Sequence, residues 1–263
     1  IKIALDERAA AMMATDPQDG VVSFAATQPG KESGLFDAEW ARMALAKATR
    51  SQRKSLIEYM ESPGTLVLRE AVTRRALHLG CLLDPQDVVI TSSCIQSIAL
   101  CLRAVTQPGD VVALESPTHF GFLNLLASLS LKVLEIPTHP QQGMSLPALQ
   151  LALDTQPVKA VLCVPTLSNP LGATMRHNDK QALVKLLASH QIPLIEDVVF
   201  NDLLASDSRR KAAKAFDQDG GVMVCGAFSK TVVPGIRLGW VQAGRWKDAV
   251  AQLKRVQGGT TNT

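Results

Sequence analysis

Short apolar runs rich in Val and Ile recur at intervals between residues 87 and 225, and they constrain the fold more than any other feature of the chain. The runs are Asp87-Val88-Val89-Ile90, Asp110-Val111-Val112-Ala113-Leu114, Lys132-Val133-Leu134-Glu135-Ile136, Ala160-Val161-Leu162-Cys163-Val164, Pro193-Leu194-Ile195 and Val222-Met223-Val224-Cys225. Their length and β-branched content suit strands buried on both faces. Between them lie segments of helical period, Ser97 to Val105, Gly121 to Leu129, Leu146 to Leu153 and Asp179 to His190, the last with Asn178 or Asp179 as its N-cap. Buried strands alternating with helices predict an α/β protein, a three-layer sandwich around a mostly parallel central sheet. In such sheets ligands bind beyond the carboxyl ends of the strands, so the residues just after each run are the ones that bear on function.

Composition narrows the class. A chain of 263 residues with 46% hydrophobic and 19% charged content can bury a sizeable core. Its formal charge of +3 is spread along the length without a basic arm, so contact with nucleic acid has to come from elsewhere. Cys81, Cys94, Cys101, Cys163 and Cys225 sit in apolar runs without paired spacing and read as reduced, buried small hydrophobes. His78, His139, His177 and His190 follow no metal-ligand spacing, so no metal is assigned. With no apolar run long enough for a membrane span and no signal peptide, the expected location is the cytoplasm. The start at Ile1 and the polar tail Gly258-Gly259-Thr260-Thr261-Asn262-Thr263 read as the ends of a segment excised from a longer protein.

Polar or special residues follow four of the runs. Thr91-Ser92-Ser93-Cys94-Ile95-Gln96 leads into a helix whose free N–H groups suit a phosphate, although a Ser/Thr cluster there is more often only an N-cap. Pro165-Thr166-Leu167-Ser168-Asn169-Pro170-Leu171-Gly172 follows Val164, and the adjacent acids Glu196-Asp197 follow Ile195. Acids beside a buried strand need a partner, which favours a bound cation or cationic ring. After Cys225 comes Gly226-Ala227-Phe228-Ser229-Lys230-Thr231-Val232-Val233-Pro234-Gly235-Ile236-Arg237-Leu238-Gly239-Trp240. A lysine at a strand exit is by itself an ordinary surface residue.

Taken together, these segments resemble the fold-type-I pyridoxal-phosphate enzymes of the class I/II aminotransferase superfamily, over about Val22 to Arg255. The resemblance implies the large domain of that fold, a homodimer, and pyridoxal 5'-phosphate as cofactor. It implies an N-terminal segment of about 1–60, a large domain of about 61–263, and a C-terminal small domain beyond the chain, where the arginine for the substrate carboxylate would lie. Lys230 matches the lysine whose amine condenses with the cofactor aldehyde. Arg237 matches a phosphate ligand and Ser229 a cofactor-binding residue, and Ser93, Cys94 and Ile95 match the phosphate-cradling loop. Asp197 matches the aspartate at the pyridine nitrogen, and Asn169 the donor to the ring oxygen. Tyr59 of Tyr59-Met60-Glu61-Ser62-Pro63-Gly64 matches a tyrosine that reaches the neighbouring subunit's phosphate.

The chain departs from that pattern in four places. Tyr59 is its only tyrosine. His119 stands at the ring-stacking position and Phe200 where a phenol donates to the ring oxygen, a bond phenylalanine cannot make. Ser93 replaces a loop glycine and Ala227 a serine that binds phosphate. Cofactor binding should survive these losses better than turnover.

Gly20-Val21-Val22-Ser23-Phe24-Ala25, Asp87 to Thr91, Glu115-Ser116-Pro117-Thr118-His119-Phe120-Gly121 and Ser168 to Gly172 are similar to one branch in particular. That branch is the MocR-type subgroup of GntR-family transcription regulators, in which a winged helix-turn-helix precedes an aminotransferase-like domain. The resemblance implies an effector-sensing domain that takes an amino acid or vitamin B6-related ligand and meets DNA only through the winged helix-turn-helix. The alternative is an aminotransferase that moves an amino group between an amino acid and a 2-oxo acid. Arg209-Arg210-Lys211 with Lys214 reads as a solvated loop, and Met12-Met13 with the stripe Trp40, Met43 and Leu45 as helix packing.

Overall fold

The computed structural model describes residues 34, 36–52, 57, 59, 62–204 and 209–258. Met12, Met13, the stretch 20–25, Met60, Glu61 and the tail from Gly259 lie outside them. The chain divides into two compact units, Ile1–Ser51 and Gln52–Thr263. In the first, helix α1 (Ala38–Ser51) buries no residue, and Trp40, Met43 and Leu45 are each about half exposed. Among the described residues the packing expected of that stripe is therefore not found.

The second unit carries α2 (Leu66–Ala76), β1 (Val88–Thr91), α3 (Cys94–Val105), β2 (Val111–Ser116), α4 (Phe120–Ser128), β3 (Lys132–His139) and β4 (Gly143–Met144). It continues with α5 (Leu146–Thr155), β5 (Val158–Cys163), α6 (His177–Ser189), β6 (Leu194–Asp197), β7 (Val222–Ala227), β8 (Gly239–Gln242) and α7 (Lys247–Gly258). The strands form a single sheet in the order β1-β8-β7-β6-β5-β2-β3-β4. The run from β3 through β2, β5 and β6 to β7 is parallel; β8 is antiparallel to both β7 and β1, and β4 to β3.

Strand alternation makes the three layers. Ala160 and Leu162 of β5 pack into one cluster with Ile98 and Leu102 of α3, Leu126 of α4 and Val250 of α7. Val161 and Cys163 point the other way, into a second cluster with Leu149 of α5 and Leu183 and Leu187 of α6. Both faces of the central strands are thus covered, which is why their sequence is apolar throughout.

Some expectations need correction. Helix α6 starts two residues earlier than Asp179, with Arg176 at its N-cap; Asp179 lies in the first turn, where it accepts from Arg176. Strand β8 was masked by the polar motif before it, and β4 has only two residues. Lys214 is not solvated: its ammonium donates to Asp217 Oδ2 and to the carbonyl of Val222 at 2.8 Å each. Arg209 and Arg210 donate to the backbone carbonyls of Thr174 and Leu204.

The insertion of β8 between β7 and β1 is tight. A Cβ on Gly239 would lie 2.5 Å from the Ser93 carbonyl carbon and 2.7 Å from its oxygen, both backbone atoms that cannot swing away. Gly239→Ala is expected to destabilise the fold by about 1–3 kcal/mol, read as a lower urea midpoint with unchanged denaturant dependence.

Candidate functional site

The carboxyl ends of the parallel strands bring together residues far apart in sequence. Asp197 ends β6 and is 5% exposed. Its Oδ1 accepts from the backbone N–H of Val199 at 2.9 Å and from the Cys94 thiol at 3.2 Å, while Oδ2 receives no hydrogen bond from the described residues. Burial raises its carboxyl to about 6, even though both donors favour the charged form.

Glu196 behaves differently although it is the next residue. Alternation along β6 turns it to the opposite face, where its two oxygens accept from the N–H groups of Ala213 and Lys214 at 2.7 and 2.9 Å. The two acids, read together in the sequence as favouring a bound cation or cationic ring, are thereby divided into a structural acid and one open acid.

After β1, Ser93 caps α3 through its side-chain oxygen, which accepts from Gln96 N–H, and the Gln96 side chain in turn accepts from Ser92 N–H. The serine in place of a loop glycine therefore has a structural role, and its φ of −174° is ordinary extended backbone. The first-turn N–H groups of Cys94 and Ile95 have no partner inside their own helix, and they carry the positive end of its dipole.

Lys230 and Arg237 come from the segment between β7 and β8. Lys230 is partly buried, and desolvation together with the nearby Arg237 lowers its ammonium below the usual lysine range. Arg237 takes a left-handed conformation, φ 52° and ψ 58°, at the end of the Pro234–Ile236 turn, and its guanidinium donates to Ser229 Oγ at 3.5 Å and to the Pro234 carbonyl at 3.4 Å. Gly226 is required upstream because a Cβ there would lie 2.6 Å from the Trp240 ring across the strand pair.

Asn169 Nδ2 lies 3.5 Å from His119 Nδ1. The His119 ring folds over Gly121 and meets Phe120 and Phe122 edge-on, with centroids at 4.8 and 5.5 Å. Burial, then the charge of Lys230, pushes its imidazole down toward the neutral form. Phe200 and Ala227 both pack against the apolar cluster shared with α3, so the two positions that lose a hydroxyl present carbon instead. Tyr59 is 98% exposed and makes none of these contacts.

Two buried groups were not singled out in the sequence. Lys180 is fully buried and donates to Thr166 Oγ1 at 2.6 Å, to the Arg209 carbonyl at 2.9 Å and to the Lys211 carbonyl at 2.8 Å. Burial lowers it to about 8, and it ties the basic connection to the segment leading to Asn169. Glu115, at the exit of β2, accepts from Val164 N–H through Oε2 at 2.8 Å, and its buried Oε1 has no partner among the described residues. The signal available for it was an acid ending an apolar strand run.

The donor set fits a phosphorylated pyridine aldehyde. The open Asp197 oxygen suits a ring N–H, the α3 N-terminus and Arg237 suit a phosphate, and Lys230, its proton affinity lowered by burial, suits an aldehyde. Ser168 Oγ and Thr231 Oγ1, each next to a site residue in sequence, are also buried without partners among the described residues.

The aminotransferase class I and II family profile matches residues 19–261. The chain belongs to that family. Family membership implies pyridoxal phosphate as the cofactor. The HTH-type transcriptional regulator YjiR of Escherichia coli is 35% identical over 92% of this chain and 51% of its own length. A second E. coli HTH-type regulator, YdcR, is 37% identical over 92% of the chain and 52% of itself. The chain thus spans about half the length of the curated relatives it matches. Among solved structures, Pyrococcus horikoshii kynurenine aminotransferase, in complex with PMP, kynurenine and its product, superposes with a TM-score of 0.85 at 28% identity, over 97% of this chain and 63% of that one. Among the described residues no helix is long and apolar enough to cross a membrane.

Glu115 makes the stability of this chain depend on pH. Burial first, then the charge of Asp197, raises its carboxyl from 4.5 to about 8. Between those values the folded state holds more protons than the unfolded state, so this residue makes stability fall as pH rises, by at most about 1.4 kcal/mol per pH unit. Glu115→Gln is expected to flatten that slope between pH 4.5 and 8, measured by urea denaturation at a series of pH values.

Proposed function

We propose that this chain is the pyridoxal-phosphate-binding, ligand-sensing part of a bacterial GntR-type regulator of the MocR subgroup. The observation that carries the reading is the uneven make-up of the cleft. Groups that would hold the cofactor are present in Lys230, Asp197, Asn169 and Arg237, with the N-terminus of α3 behind them. The positions that would offer a hydroxyl to the ring oxygen and to the phosphate are apolar, in Phe200 and Ala227. Similarity to two helix-turn-helix regulators over nearly the whole chain supports the same choice.

In this reading Lys230 would form the covalent link, and burial lowers the proton affinity of its amine, which favours that role. Asp197 would hold the proton on the ring nitrogen. Arg237, Ser229 and the N–H groups of Ser93, Cys94 and Ile95 would hold the phosphate. Asn169 would donate to the ring oxygen, and His119, pushed toward the neutral imidazole, would serve the ring-stacking position. When bound, the cofactor would supply an electron sink for bonds at the carbon that carries an amino group. Phe200, at the position of the missing phenol, has no proton to give.

The ligand sensed is an amino acid or a vitamin B6-related compound. DNA is met through a winged helix-turn-helix elsewhere in the protein, which works in the cytoplasm as a homodimer. The exposure of Tyr59, with exposed Ile95, Phe120 and Ile236 beside site residues, suits coverage by a second subunit. The competing reading, an aminotransferase acting on an amino acid and a 2-oxo acid, draws support from the superposition on kynurenine aminotransferase.

The test uses the intact protein. Added pyridoxal phosphate is expected to give a protein-bound cofactor absorbance band that is lost in Lys230→Ala. Amino compounds should alter that band and the affinity for operator DNA without keto acid accumulating. Steady keto-acid formation from any amino donor would establish the enzyme reading instead, and no band in wild type would overturn the cofactor assignment.

A further inference from the structure

Asp197 receives its side-chain hydrogen bond from an unusual donor. Cys94 opens α3, Asp197 closes β6, and the two are 7% and 5% exposed. Their contact, Sγ to Oδ1 at 3.2 Å, joins residues 103 apart. A buried cysteine is ordinarily a small hydrophobe, which is how Cys101 and Cys225 behave deeper in the same layer, with sulfurs 3.7 Å apart. Cys94 instead meets a carboxylate, and a thiol proton, weak toward a neutral acceptor, counts for more against a charged one in a low-dielectric site.

The two donors to Asp197 converge on one oxygen. With Oδ1 held by the Val199 N–H and the Cys94 thiol, the plane of the carboxylate is fixed and Oδ2 is left facing no donor of the described chain. We propose that Cys94 is a positioning residue for Asp197, clamping Oδ1 so that Oδ2 is presented, charged, to the cofactor ring nitrogen. This rests on the cofactor reading above and adds a residue to it: the sequence places Cys94 in the phosphate loop through its backbone, whereas its side chain serves the other end of the ring.

The surroundings suit that role. Glu115 on β2, Cys163 on β5, Cys225 on β7 and Cys94 on α3 all lie within the electrostatic reach of Asp197, and none of them is a cation. The thiol is therefore the side-chain donor that favours the carboxylate over the acid. Burial and the adjacent negative charge push Cys94 well above the ordinary thiol range, so it keeps the proton it donates.

The experiment takes the intact protein, wild type and with Cys94→Ala, Cys94→Val or Cys94→Ser, and pyridoxal phosphate labelled with nitrogen-15 in the ring. Wild type should show the signal of a protonated ring nitrogen. Ala and Val should move it toward the unprotonated position at the same pH and weaken cofactor retention roughly two- to twelvefold. Ser, whose hydroxyl can donate to the same oxygen, should restore both. In the cofactor-free protein, carbon-13 titration should place the Asp197 midpoint higher in Ala and Val than in wild type. If both folded donor-less variants match wild type in ring signal and midpoint, the proposal is overturned, whatever happens to their melting temperature. Wild type that binds no cofactor overturns the cofactor reading and this proposal with it.

Discussion

A carboxylate buried at the end of a central strand, with no cation of the described chain paired to it, is the constraint around which the site is arranged. Asp197 bears the full desolvation cost and recovers part of it through two donors on one oxygen. A fold keeps such a group when something arrives to satisfy the remaining oxygen. The parallel sheet supplies the place, because its strand exits leave backbone and side-chain groups facing a common crevice. The N-terminus of α3, the lysine segment and the asparagine loop are then arranged at distances set by strand spacing rather than by local sequence.

The two faces of the sheet divide the polar work. On the α3 face the buried acid is open, and on the α5–α6 face the acids and the base are used for structure. Glu196 receives two backbone N–H groups, and Lys180 gives all three of its protons to Thr166 and two carbonyls. These bonds hold the chain around residues 209–214 beside β6. All five cysteines are free and buried.

Much of this was legible in the sequence. Runs such as Ala160 to Val164 identify doubly buried strands because apolar residues at consecutive positions satisfy both faces at once, and the structure places them in the central sheet as expected. The site segments were legible because strand exits are where an α/β sheet exposes polar residues. Other features were hidden for definite reasons. Gly239-Trp240-Val241-Gln242 is a strand whose pairing with both β7 and β1 is decided by tertiary contact, and the preceding Pro234-Gly235 turn obscures its start. Glu196 and Asp197 look equivalent until alternation sends them to opposite faces. Cys94 reads as an apolar residue because its hydrogen-bond acceptor lies in another element altogether, and Trp40, Met43 and Leu45 have helical spacing yet stay half exposed.

The position of β8 also sets the order in which the molecule can be completed. β1, near the start of the second unit, pairs among the described residues with no strand except β8, which comes about 150 residues later in the chain. As the protein leaves the ribosome, the central parallel strands can associate first, while the edge strand that leads into α3 waits for β8. The turn after β1 and the lysine segment before β8 are therefore brought into one crevice by the same late event. Cofactor capture thus marks a chain whose synthesis has passed β8, and a nascent chain stalled earlier would have most of its core but no site.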